Sequence, residues 1–121
     1  MRPDKSELIR ALFTAYLTND REAIENCYSD DFRFTSPFDD AIDKTTYFER
    51  CWCPSDWIER HEIERILVGG NEAFVTYQCL AKGGKSFRNT EFFVFDDDRI
   101  SRIDVYFGAA YQDGEFVKQL S

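Results

Sequence analysis

The sequence predicts an α+β fold in which N-terminal helices close a curved antiparallel sheet over a pocket rich in aromatic residues. Three features carry that expectation. Apolar residues recur at helical spacing through the N-terminal part of the chain, and extended runs separated by Gly- and Asp-rich turns fill the rest. Twelve Phe, six Tyr and two Trp stand among 121 residues. Helices first and a meander afterwards place the helices on one face of the sheet. Aromatic side chains bury large areas and also line concave apolar sites, and twelve Phe exceed the needs of one small core.

The elements follow in order. Ser6 to Asn19 reads as an amphipathic helix with Leu8, Ile9, Leu12, Phe13, Tyr16 and Leu17 at helical spacing and Ser6 as its cap. Asn19-Asp20 breaks it, and Arg21 to Tyr28 forms a second, shorter helix. Ser29-Asp30-Asp31 reads as a turn, and Phe32 to Thr35 as a short strand that Pro37 stops. Asp43 or Thr45 caps a third helix carrying Tyr47, Phe48, Cys51 and Trp52, which Pro54 ends. Trp57–Val68, Glu72–Ala81, Phe87–Phe95 and Ile100–Phe107 are extended, joined by Gly69-Gly70-Asn71, Lys82-Gly83-Gly84-Lys85 and Asp96-Asp97-Asp98-Arg99. No linker or repeat interrupts them, so residues 1–121 are expected to form a single domain.

Composition excludes several function classes. A net charge of −8 with no basic run argues against nucleic acid and against anionic membrane surfaces. No apolar run approaches a membrane span, and Met1-Arg2-Pro3-Asp4-Lys5 lacks the apolar stretch of a signal peptide, so a cytoplasmic location is expected. Cys27, Cys51, Cys53 and Cys79 form no Cys-x-x-Cys and meet a single His, which points to reduced thiols and to no metal site. Gly83-Gly84-Lys85-Ser86 lacks the first Gly of a phosphate loop, and Asp96-Asp97-Asp98 lacks a calcium-loop pattern; both read as turns.

Two-residue hairpin loops set a register, because a slip of one residue reverses every side chain. With loops at Gly70-Asn71, Gly83-Gly84 and Asp97-Asp98, one row contains Arg65, Thr76, Glu91 and Asp104. The next contains Ile63, Gln78, Asn89 and Tyr106; a third contains His61, Leu80 and Phe87; and Leu67, Phe74, Phe93 and Arg102 continue the same face. The opposite face holds Val75, Tyr77, Cys79, Thr90, Phe92, Val94, Ile103, Val105 and Phe107, apolar enough to suggest a homodimer through it.

Glu91 and Asp104 are the sharpest pair on the pocket face. Two carboxylates a strand apart among aromatics repel, so one is expected to hold its proton at neutral pH, as general acid–base work requires. The alternative is an ion pair of Glu91 with Arg65 or Arg102. Asn89, Tyr106 and Arg65 are candidates to orient a polar substituent, with His61, Gln78, Phe74 and Phe93 as further ligand contacts. His61 also suits plain packing, and Asn89 and Tyr106 suit satisfaction of their neighbours. Tyr47, Phe48, Trp52 and Trp57 are either core or part of the ligand cage.

The two N-terminal helices, Tyr28-Ser29-Asp30-Asp31-Phe32, the Ser36-Pro37 step, Phe87-Arg88-Asn89-Thr90-Glu91 and the closing Ile103-Asp104-Val105-Tyr106-Phe107 resemble the nuclear transport factor 2-like superfamily in its SnoaL-like branch, over roughly residues 6 to 108. The resemblance implies a cystatin-like cone, a bent antiparallel sheet wrapped around the N-terminal helices, with the pocket inside and frequent homodimers. It implies acid–base chemistry of the isomerase, cyclase, dehydratase or epoxide-hydrolase kind, without a cofactor. The isomerase pattern carries its base on an Asp-Pro step, where this chain has Ser36-Pro37; the isomerase's second oxyanion acid falls near Glu91. The hydrolase pattern of Arg-x-Asp falls on Asn89-x-Glu91, with Asp104 on the next strand and Arg65 able to stand in for the Arg.

The expected function is therefore cofactor-free acid–base catalysis on a small apolar molecule, with Glu91 and Asp104 as acid and base. The alternatives are a non-catalytic dimeric binding module of the same fold and a protein-interaction subunit. Two further expectations follow: the pocket prefers neutral ligands to anions, and Glu91 has a raised pKa.

Overall fold

The computed structural model describes residues 4–52 and 56–118. Among the described residues three helices pack against a large curved, unclosed sheet, as the α+β expectation required. α1 (Lys5–Leu17) starts at Asp4, whose carboxylate accepts from the Glu7 amide at 2.8 Å. The cap is thus Asp4 in place of Ser6, whose hydroxyl donates to Asp4 instead. An ionised side chain at this position also meets the positive end of the helix dipole. Asp20 and Asp43 cap α2 (Arg21–Cys27) and α3 (Lys44–Arg50) in the same way, accepting from Ala23 N and Thr46 N. Lys44 Nζ donates to the carbonyls of Glu25 and Tyr28, which ties the end of α2 to the start of α3. The proposed stop at Pro54 lies outside the described residues.

The strands are β1 (Tyr28–Ser36), β2 (Asp39–Asp43), β3 (Ile58–Gly69), β4 (Glu72–Ala81), β5 (Lys85–Asp96), β6 (Arg99–Gln112) and β7 (Glu115–Val117), in the order β2-β1-β6-β5-β4-β3 with β7 on β6. Ser29-Asp30-Asp31, read above as a turn, is part of β1, and β2 and β7 were not expected from the sequence. β1 runs parallel to β6, so the sheet is mixed and not wholly antiparallel. The long connection from β1 to β6 is what a parallel pair needs: α3 and four strands separate the two.

Register is where the structure departs most from the sequence reading. Gly70-Asn71 and Asp97-Asp98 are two-residue turns as expected, pairing Gly69 with Glu72 and Asp96 with Arg99. The β4–β5 loop has three residues, Lys82-Gly83-Gly84, with both glycines at positive φ, and this moves Glu91 opposite Val75 and Thr90 opposite Thr76. Two bulges complete the change. An extra residue near Glu64 puts His61 opposite Cys79, and one at Ser101 puts Asp104 opposite Phe92 and Val105 opposite Glu91.

Consequently the set assigned to the outer face is divided. Val75, Tyr77, Cys79 and Ile103 are buried under the helices with Ile9, Leu12, Phe13 and Ile24, while Thr90, Phe92 and Val94 lie on the other side. The face from which the homodimer was argued does not exist as drawn. Cys27, Cys51 and Cys79 are free thiols. Among the described residues no helix is long and apolar enough to cross a membrane.

Candidate functional site

The helices do not fill the concave side of the sheet. They leave a cavity of about 230 Å³ between α1, α3 and the inner face of the sheet. A dry cavity of roughly 150 Å³ already binds benzene. Leu12 and Phe13 from α1, Phe34 from β1, Ile58 from β3, and Ile103 and Val105 from β6 supply its apolar wall. Its polar groups are Tyr16, Tyr28, Tyr47, Tyr77, His61 and Glu91, with Cys51 beside them.

Glu91 sits at the inner end of a chain of hydrogen bonds. Asn89 and Glu91 alternate inward on β5, and Tyr77 is cross-strand from Asn89 and diagonal to Glu91. Tyr77 Oη donates to Glu91 Oε2 at 2.6 Å and accepts from Asn89 Nδ2 at 3.1 Å. Burial in this apolar wall pushes the Glu91 carboxyl up to about 7, against the smaller, opposing pull of the Tyr77 hydrogen bond. The residue keeps some accessible surface because it lines the cavity, yet protein packs closely around its carboxyl group. The raised pKa agrees with the expectation and desolvation carries it, whereas Asp104, expected to add to it, lies on the other face of the sheet.

Facing Glu91 is a cluster of tyrosine hydroxyls. Tyr16 Oη lies 2.6 Å from Tyr28 Oη and also contacts Tyr47 Oη. Burial raises the pKa of all three, and the charge of Glu91 adds to the rise at Tyr28 and Tyr47. They are therefore neutral O–H donors throughout the physiological range. Tyr28 stacks on Phe32 with centroids 4.0 Å apart, and Tyr47 packs edge-on to both rings, which holds the hydroxyls in place.

The structure separates the residues that the sequence grouped. Glu91, His61 and Asn89 are on the inner face; Phe93 is fully buried in the core; Phe48 is buried against Tyr28 and Tyr47; and Trp52 rests on Tyr16 and Phe48 outside the cavity lining. Asp104, Arg65, Gln78, Tyr106 and Phe74 belong to the opposite face, paired with Phe92, Thr76, Arg88, Thr90 and Phe92 in turn. Asp104 is not a partner of Glu91: Arg102 Nε donates to both its oxygens at 3.1 Å, making a side pair along β6. Arg65 cannot reach Glu91 through the sheet, so the ion-pair alternative for Glu91 falls as well. Sequence reasoning missed Tyr16, Tyr28 and Tyr77 as site residues, and left Tyr47 between core and ligand cage. Their signal was the hydroxyl itself, since a Tyr at an apolar, inward position must bring its O–H to a partner. Among the described residues no group of three His, Cys, Asp or Glu is placed to hold a metal ion.

Comparison with known proteins adds a family and a set of folds. A model of the SnoaL-like domain matches residues 9–103. No curated protein matches the sequence. An NTF2-like protein of unknown function from Cytophaga hutchinsonii superposes with a TM-score of 0.71 at 15% identity, over 89% of this chain and 93% of that one. A protein from Kribbella flavida, provisionally named a ketosteroid isomerase, gives 0.70 at 21% over 95% and 85%. One from Sinorhizobium meliloti, provisionally named a polyketide cyclase, gives 0.66 at 20% over 83% and 94%. At such identities the likeness is one of fold.

Proposed function

The chain belongs to the SnoaL-like domain family, and from that premise we propose that it is a cofactor-independent enzyme of acid–base chemistry on a small, largely apolar molecule, with Glu91 moving the proton. The observation that supports this reading is the placing of Glu91, in an apolar cavity that also presents three tyrosine hydroxyls. A carboxyl group that titrates near 7 is partly protonated at neutral pH, so it can take a proton from a carbon acid and return it elsewhere. Asn89 and Tyr77 fix its orientation, and the Tyr77 O–H stabilises the ionised form after the proton has left. Tyr16, Tyr28 and Tyr47 are bonded to one another, and one of these hydroxyls turning from its neighbour would donate to an oxygen on which negative charge develops. Isomerisation, cyclisation, dehydration and hydration all need these two functions.

Exchange of the α-protons of 1-indanone in heavy water, followed by proton NMR, tests it. Wild-type protein should accelerate the exchange, and Glu91→Gln should lose about 100-fold or more, the span of a positioned general base. An unchanged rate in the variant would remove Glu91 from the role. A second reading, a ligand-binding module, is favoured by Ser36, since a serine on the Ser36-Pro37 step is no base. It predicts that 1-indanone binds and exchanges no faster than in buffer.

A further inference from the structure

The cavity's polar side chains are mostly occupied with one another. Tyr16, Tyr28 and Tyr47 are mutually bonded, Tyr77 is bonded to Glu91, and the Cys51 thiol points at Asp39 Oδ2 across 3.6 Å. His61 is different: among the described residues nothing hydrogen-bonds to either ring nitrogen, and Nδ1 is fully enclosed. The ring is nevertheless held firmly. It packs edge-to-face with Phe13 at 5.4 Å and with Tyr77 at 5.7 Å. It also forms the wall between the cavity and a groove on the α1–β3 side, where Arg10, Thr14 and Ile63 are its neighbours.

We propose that His61 is a specificity-determining residue of the cavity, a neutral imidazole whose Nε2–H donates to an oxygen of the bound molecule, and that the ligand is therefore a neutral apolar compound bearing a hydrogen-bond-accepting oxygen. The tautomer follows from the geometry. A proton on the enclosed Nδ1 would be a buried N–H without an acceptor, which folded proteins almost never contain, whereas an unfilled acceptor lone pair is tolerated more often. The proton thus belongs on Nε2, the nitrogen that is not enclosed. Among the described residues no carboxylate pairs with the ring to hold an imidazolium, and Glu91, which shares the cavity, is bonded to Tyr77. Phe13 and Tyr77 are neutral aromatics, Cys79 opposite it is a thiol that burial keeps protonated, and the charged group in the adjoining groove is the cation Arg10. Burial accordingly lowers the His61 pKa from its ordinary value. An unused donor of this kind binds no anion by charge and discriminates against a ligand that lacks the oxygen, because its N–H would then be left unpaired.

This inference rests on the cavity being a ligand site and is independent of turnover, so it is tested by binding. Because the chain has a single histidine, its nitrogens can be read by NMR without assignment. In nitrogen-15-labelled protein at pH 7 the imidazole should be neutral with its proton on Nε2, and that nitrogen should shift on addition of 1-indanone but not of indane. A proton on Nδ1, a charged ring, or equal response to the two compounds would overturn the proposal. In parallel, wild type should bind 1-indanone more tightly than indane. His61→Phe should reduce that preference roughly three- to tenfold, the worth of one net hydrogen bond. His61→Gln, which restores an amide donor, should recover part of it. If His61→Phe keeps the full preference, the oxygen is read elsewhere. If 1-indanone binds through His61 and its protons do not exchange, the enzyme reading fails and this one stands.

Discussion

Glu91 gives the protein a pH dependence whose sign can be stated. Its folded-state pKa of about 7 lies above the ordinary value of 4.5, so between those two pH values the native chain holds a proton that the unfolded chain has released. Stability must then fall as pH rises through that window, by at most about 3 kcal/mol from this group. Glu91→Gln keeps the shape and an acceptor for Tyr77 while removing the charge. Urea denaturation at pH 5 and pH 8 should show wild type losing stability over the interval and the variant losing less, with the variant at least as stable as wild type at pH 8. A variant clearly weaker at pH 8 would identify Glu91 as an ionised structural acceptor and deprive the proposed chemistry of its base. At this scale the sequence revealed Glu91, Asn89 and His61 but hid the tyrosines, because a tyrosine in an apolar pattern looks like core until its hydroxyl partner is known.

Among the elements, β6 does most to decide the site. It carries an extra residue at Ser101 and another at Gly108-Ala109, and each reverses which side chains point inward. The second bulge depends on a missing side chain. A Cβ on Gly108 would stand 2.3 Å from the backbone oxygen of Arg88, a neighbour that cannot swing away. Gly108→Ala is expected to cost roughly 1–3 kcal/mol, read as a lower urea midpoint with an unchanged slope. An unchanged midpoint would show that the two strands can separate there without loss. The sequence placed β6 correctly at its start and too short at its end, since nothing in Gly108-Ala109-Ala110-Tyr111 alternates cleanly.

For the whole molecule the open question is what meets the outer sheet face. Leu67, Phe74 and Tyr106 are 68%, 48% and 57% exposed there, and Phe74 lies against Phe92 with centroids 4.9 Å apart. Scattered apolar residues are ordinary on a surface, but neighbouring ones on a flat sheet favour burial by association. We expect a homodimer through this face, which is not the face first drawn from the sequence. Light scattering at micromolar concentration should return twice the chain mass, and Phe74→Glu should return one chain while still binding 1-indanone in the cavity. A single-chain mass for wild type would dismiss the dimer.

The sequence by itself determined the three helices, the order of the five longer strands and two of the three hairpin turns it named, but not β2 or β7, because helical periodicity, Asp caps and Gly- and Asp-rich turns are local signals. From these and a few short motifs, the family was already legible. The choice of which side chains share the cavity was made only by the tertiary structure. Glu91 and Asp104 are well-defined residues in well-defined strands, yet one extra loop residue at Lys82 and one bulge at Ser101 put the first inside and the second outside. The pattern of β5 and β6, apolar and polar on both faces, permits either register. Packing of the helices on the sheet, Phe13 of α1 against Tyr77 among them, selects one, since that register buries Phe93 and Ile100 and yet leaves Arg102 in water.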